Sequence, residues 1–209
     1  MQSLPQHQGL ESTLIIRRCL RSLFAQEVVS GVNFNNTQMS EISLCTDGFD
    51  IREVEITSDE TPRNFRRLAR EVSGESFDVP ENSRILFGFI KNKKSTKKPL
   101  QVAELAFQPA NMQFSEPGVN FDSDFYHQLQ FIFVMGDYQR RGYGTALVEK
   151  AIDYCTWHDS SRPIRVQAAK NAVRFFEKQG FKQKGDCIDC FHSGSYLFRK
   201  LYNMEKKLD

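Results

Sequence analysis

Seven consecutive residues, Gln139-Arg140-Arg141-Gly142-Tyr143-Gly144-Thr145, are the part of this chain best equipped to hold an anion. They follow the apolar run Phe131-Ile132-Phe133-Val134-Met135. They lead into a stretch where Leu147, Val148, Ala151, Ile152 and Cys155 recur at helical spacing. Phe, Ile and Val without a polar break suit a strand covered on both faces, and the stripe beyond suits an amphipathic helix. A helix N-terminus leaves backbone N–H groups unpaired and carries partial positive charge. Gly142 and Gly144 have no side chains to hold a phosphate away from those groups, and Arg140 and Arg141 add formal charge. The chemistry implied is phosphate binding at a strand-to-helix junction.

Two common phosphate motifs do not fit. A Walker loop needs Gly-Lys-Ser/Thr, and this segment has no lysine. The dinucleotide fingerprint wants a third glycine where Leu147 stands, and no βαβ repeat follows. Gln139-Arg140-Arg141-Gly142-Tyr143-Gly144 instead resembles the Q/R-x-x-G-x-G/A signature of the GNAT superfamily of acyl-CoA-dependent N-acyltransferases. Farther along, Ala172-Val173-Arg174-Phe175-Phe176-Glu177-Lys178-Gln179-Gly180-Phe181 resembles that family's second block, a short helix ending in Gly-Phe. The resemblance spans roughly residues 49–209.

It implies an α+β fold: a mixed, mostly antiparallel central sheet with helices on both faces and central strands that splay apart around the cofactor. It implies acetyl-CoA as co-substrate. Backbone N–H groups from Gln139 through Arg140, Arg141, Gly142, Tyr143 and Gly144 to Thr145 would take the pyrophosphate, with the Thr145 hydroxyl as an added donor. The strand edge at Phe133, Val134 and Met135 would pair with the pantetheine arm, and an N–H at or beside Val134 would polarise the thioester carbonyl. Phe176 would pack against the cofactor. Asn171 is read either as a further cofactor contact or as the cap of the short helix. The implied activity is N-acetyl transfer by direct attack of a primary amine, on a small molecule or a peptide, with neither a metal nor a covalent enzyme intermediate.

The acid and base depart from the family pattern. Phe176 stands where many members have a tyrosine that protonates the departing thiolate. Gln128 stands where the histone-acetylating branch has a glutamate base on its fourth strand. General acid catalysis is worth about 10²–10⁴-fold, so slow chemistry or a substitute donor is expected. Glu104, His127 and Tyr126 are the candidate catalytic residues. The same departures keep a second function open, a CoA-binding protein of this fold with weak or no chemistry, acting as sensor or scaffold.

A chain of 209 residues has room for one domain with a substantial core, placed at 49–209, behind an N-terminal extension at 1–48. A net charge of +2 gives no global pull toward nucleic acid or anionic lipid. No apolar run approaches membrane-spanning length. Five scattered cysteines form no disulfide framework and fit a reducing compartment, read as cytoplasmic with mitochondrial and nuclear locations open. Cys187-x-x-Cys190-x-His192 lacks a fourth ligand and reads as a hairpin with free thiols.

In chain order, Leu14, Ile15, Cys19, Leu20, Leu23, Phe24 and Val28 mark an amphipathic helix, docked on the domain or on a second copy of the chain, which leaves a homodimer open. Glu11 and Glu27 argue against a transit peptide. A polar linker follows to residue 48. Strands are expected at 51–56, Arg84–Ile90, 100–107 and Ile164–Ala169, with a helix from Thr61-Pro62. The lysine run at 91–98 has no aromatic residue to stack on bases and reads as a solvated hairpin tip. Residues 109–125 read as a long loop bordering the acceptor. A short helix at 171–179 stops at Gly180, and 181–185 with 195–202 form a closing antiparallel pair.

Overall fold

The alternation inside the apolar run decides how the domain is layered. Side chains on a strand point to opposite faces in turn. Phe131 and Phe133 pack on one side with Phe65, Leu68 and Ala69, while Ile132 and Val134 pack on the other with Leu147, Val148, Ala151 and Cys155. Each set of helical partners recurs at three- and four-residue steps, so each helix buries one stripe. The strand is thus covered twice, which is why its sequence has no polar break.

The computed structural model describes residues 48–54, 56, 59–80, 82–91, 98–110, 126–190 and 198–208. Its strands are β1 (Phe49–Val54), β2 (Arg84–Ile90), β3 (Leu100–Gln108), β4 (His127–Val134), β5 (Ile164–Ala169), β6 (Lys182–Asp189) and β7 (Lys200–Lys206). Its helices are α1 (Glu60–Ser73), α2 (Tyr143–Asp159) and α3 (Val173–Lys178), and a single 3₁₀ turn spans Gly136–Tyr138. One sheet holds all the described strands in the order β1-β2-β3-β4-β5-β7-β6. Every neighbouring pair is antiparallel except β4 and β5, which run parallel. With α1 on one face and α2 on the other, this is the mixed, mostly antiparallel sheet that the resemblance implied.

The parallel pair is where the sheet opens. Ladder partners are His127↔Ile164, Gln128↔Arg165 and Leu129↔Val166, and the register ends there. The rest of β4 stays paired to β3, and the rest of β5 stays paired to β7. The two strands therefore diverge into a gap beside residues 130–134.

The larger differences from the sequence reading are at four elements. Ile56 lies past the end of β1 and is 43% exposed. β4 begins at His127, ahead of the apolar run, because Gln130 is buried with partners: Ser83 Oγ bonds its amide oxygen, and its Nε2 donates to Gln108 Oε1 at 3.1 Å. The short helix is Val173–Lys178, trimmed at both ends. The closing pair is displaced, since β7 starts at Lys200 and inserts between β5 and β6. Its polar residues are held across the ladder, Asn203 by Gln167 at 3.2 Å and Glu205 by Arg165 at 2.6 Å. The amphipathic helix and linker of the extension, the centre of the lysine run and most of the long loop lie outside the described residues. No helix among the described residues is long and apolar enough to cross a membrane.

Candidate active site

At the open end of β4 the backbone direction follows from one bond. Met135 N–H donates to Val102 O on β3 at 2.9 Å. Successive residues of a strand aim their amides at opposite edges, so Val134 aims its N–H and C=O at the gap left by β5. Gln139 closes over this point, its Nε2 donating to Val134 O at 2.9 Å. Phe133 is fully buried toward α1, and Met135 is half-buried where the strand ends.

The chain then turns through Gly136–Tyr138, with Tyr138 N–H donating to Met135 O at 2.8 Å. Arg140 takes φ +60° and Gly142 takes φ +82°. The second angle suits glycine, for which the left-handed region carries no Cβ penalty. Gly142 is also the cap of α2, and having no side chain it offers the first turn no capping oxygen. The first helical bond is Ala146 N–H to Gly142 O at 2.9 Å. The N–H groups of Tyr143, Gly144 and Thr145 precede it and have no carbonyl within the helix. They point out of the helix end with its positive dipole, beside the exposed Arg140 and Arg141.

Long-range contacts brace this turn. The Tyr143 ring stacks on Phe49 of β1 with centroids 4.2 Å apart. Gly88 makes that possible, because a Cβ there would lie 2.5 Å from the Phe49 ring. Gln179, just after α3, donates to Thr145 Oγ1 at 3.0 Å, which leaves the hydroxyl proton free to be given elsewhere. Arg141 lies over the Tyr138 ring at 5.2 Å. Phe176 has no exposed surface and packs edge-on to Phe175 and Phe181 at 5.0 and 5.4 Å. Asn171 is exposed in the turn before α3, whose cap is Ala172 with no side-chain bond, so the capping alternative for Asn171 is not realised.

Residues 120–189 match the model of the family described as "Acetyltransferase (GNAT) domain". The search of curated proteins returned no match. Among solved structures, the fold is similar to the ribosomal-protein-S18-alanine N-acetyltransferase of Escherichia coli, at 17% identity and TM-score 0.55 over 77% of this chain and 94% of that one. It is similar to Arabidopsis thaliana Naa50 solved with the bisubstrate analogue CoA-Ac-MVNAL, at 14% identity and TM-score 0.58 over 76% and 98%. Ard1 from Thermoplasma volcanium matches at 15% identity and TM-score 0.53 over 78% and 99%. This is a GNAT fold.

Set in the GNAT frame, the three candidate catalytic residues separate. His127 sits at the closed end of β4, fully buried. Its Nδ1 accepts from Ala110 N–H at 2.9 Å, so its Nε2 carries the proton and donates to Asp159 O at 2.9 Å. His158 Nε2 donates to Ala110 O, also at 2.9 Å. Burial holds the His127 pKa below its usual value. With both nitrogens engaged at the closed end of the strand, His127 is not brought to the gap. Tyr126 precedes it at the same end with the Arg165 guanidinium 4.2 Å over its ring, so it too stands away from the gap. Glu104 is the candidate beside the open end, since its ladder partner is Phe133.

The sequence reading missed the side-chain clasps. It assigned Gln139 only a backbone role and gave Gln179 none, because no spacing rule links Gln139 to Val134 O or Gln179 to Thr145. Among the described residues, no cluster of three or more His, Cys, Asp or Glu could hold a metal ion.

Proposed function

We propose that this protein transfers an acetyl group from acetyl-CoA to a primary amine by direct attack. The observation that carries this reading is the adjacency of an uncapped glycine-turn helix end to a strand edge opened by the β4–β5 divergence. The N–H groups of residues 139–145, with the Thr145 hydroxyl, would take the diphosphate. The pantetheine arm would lie along Phe133, Val134 and Met135 as an added strand, with Asn171 and Phe176 beside it. The Val134 N–H would steady the oxyanion. Acetyl-CoA supplies the activated acyl group, and the residues named bind it, orient it and polarise its carbonyl. Two of the similar structures concern a protein alanine amine and a peptide analogue by their names, which favours a peptide amine as acceptor over a small molecule. A cytoplasmic setting goes with this reading on the scattered cysteines of the sequence.

Calorimetry with acetyl-CoA, followed by CoA release with the peptide Met-Val-Asn-Ala-Leu, free lysine, spermidine and benzylamine, tests the proposal. Binding heat and release with at least one amine are expected. The absence of a phenolic hydroxyl at Phe176 motivates the second reading, a CoA-binding sensor or scaffold. A wild type that binds acetyl-CoA yet is inert with every amine, beside an active Phe176→Tyr, would select it.

A further inference from the structure

Glu104 is a buried carboxyl that the cofactor cradle does not use. It lies on β3 with no exposed surface. It stands opposite Phe133, the residue before Val134. Ladder partners share a face with Cβ atoms about 4.5–5.5 Å apart, so the carboxyl rises on the α1 side, where Phe65, Phe87, Phe131 and Phe133 pack. Gln101 Nε2 donates to Oε2 at 3.0 Å. The other oxygen, Oε1, is buried with no hydrogen-bond partner among the described residues. A lone pair left unsatisfied in an apolar setting is costly and uncommon.

Burial also holds the Glu104 pKa well above the usual carboxylate range, against the opposing positive field of Arg67 on α1 and the Gln101 hydrogen bond. A carboxyl whose charged form is disfavoured by burial binds a proton more readily than an ordinary carboxylate, which suits a group that takes and returns one. The position Gln128, where one branch of the family has its base, is at the closed end of β4. Phe176 has no proton to give.

We propose that Glu104 is the catalytic residue that carries the acceptor's proton, acting both as base and as acid through its unpartnered Oε1. The role rests on the acetyl-transfer reading above. The neutral amine nitrogen attacks the thioester carbon, the new C–N bond forms, and the carbonyl π pair moves to the oxygen facing Val134 N–H. The Glu104 carboxylate takes one proton from that nitrogen, directly or through one water. Collapse breaks the C–S bond, and the same proton passes to sulfur, so amine and acetyl-CoA become amide and free thiol with no other reactant.

The test compares wild type with Glu104→Gln, a neutral isostere, using three readouts. These are acetyl-CoA binding heat, kcat against pH with the best amine of the panel, and thermal midpoint. The expected result is unchanged affinity, a kcat lower by about 10²-fold or more, loss of the acidic limb of the pH profile, and a midpoint at or above wild type because a buried charge site is gone. A merely structural carboxyl would move the midpoint and leave the pH profile alone. Equal affinity with kcat within about threefold overturns the role by itself, as that is far short of what acid–base catalysis supplies. Absence of acetyl-CoA heat in both proteins overturns the transfer reading, and this role with it.

Discussion

The two ends of β4 are built from one strand and put to opposite uses. At the closed end, His127 N–H donates to Pro163 O at 2.9 Å, the ladder to β5 is intact, and both ring nitrogens of His127 are bonded. At the open end, Val134 turns its amide to a gap, and the next helix begins with N–H groups that no side chain caps. A buried backbone amide is expensive to leave unpaired. The fold spends its partners at one end and withholds them at the other. The difference teaches where binding energy is available: at donors the fold has positioned and not yet used.

The sharpest way to break the comparison is Gly142→Glu. It sets a carboxylate where the anion would bind and forces a left-handed angle that costs about 1–2 kcal/mol. Calorimetry is expected to show acetyl-CoA affinity reduced at least 10³-fold, about 4 kcal/mol, with the fold retained. An unchanged affinity would remove the cradle from the site.

The converse attack is His127→Ala. It leaves Ala110 N–H and Asp159 O without partners and opens a void, at about 2–3 kcal/mol. Thermal denaturation should show that loss, while acetyl-CoA affinity per folded molecule stays as it was. The pH dependence follows from sign. The folded His127 pKa is below the unfolded value, so the unfolded chain binds the extra proton, and wild-type stability falls as pH drops below roughly 6.5. His127→Ala should lose that slope between pH 7 and 5. If the slope persists, another group sets it.

The smallest effect sharpens the open end. Gln139→Ala removes one neutral hydrogen bond to Val134 O, worth about 0.5–1.5 kcal/mol. Thermal denaturation should show a stability loss of about that size, with the Kd for acetyl-CoA raised at most about threefold. An unchanged midpoint would mean that the clasp contributes nothing to the fold.

Legibility in the sequence tracked the separation of the partners. The cradle was readable because strand, turn and helix start are contiguous, and glycine spacing reports a local backbone need. Strands Arg84–Ile90 and Ile164–Ala169 were readable from their composition. The start of β4 was less readable, because Gln130 is satisfied by Ser83, just before β2, and by Gln108 on β3, both distant in the chain. The last strand read short at its polar end, because Asn203 and Glu205 find their partners on other strands, Gln167 and Arg165 on β5 and Asp186 O and Lys184 on β6.

What the sequence determined by itself is therefore a glycine turn that frees the first amides of a helix, and an apolar strand covered on both faces. Those depend on conformational freedom and side-chain period, which act within a few residues. Tertiary structure alone decided that β5 leaves β4 after three ladder pairs, that two histidines bind Ala110, and that Glu104 stands opposite Phe133 with one oxygen unpartnered. Register and burial join residues far apart in the chain, and the energy of a polar group depends on which partners that joining brings.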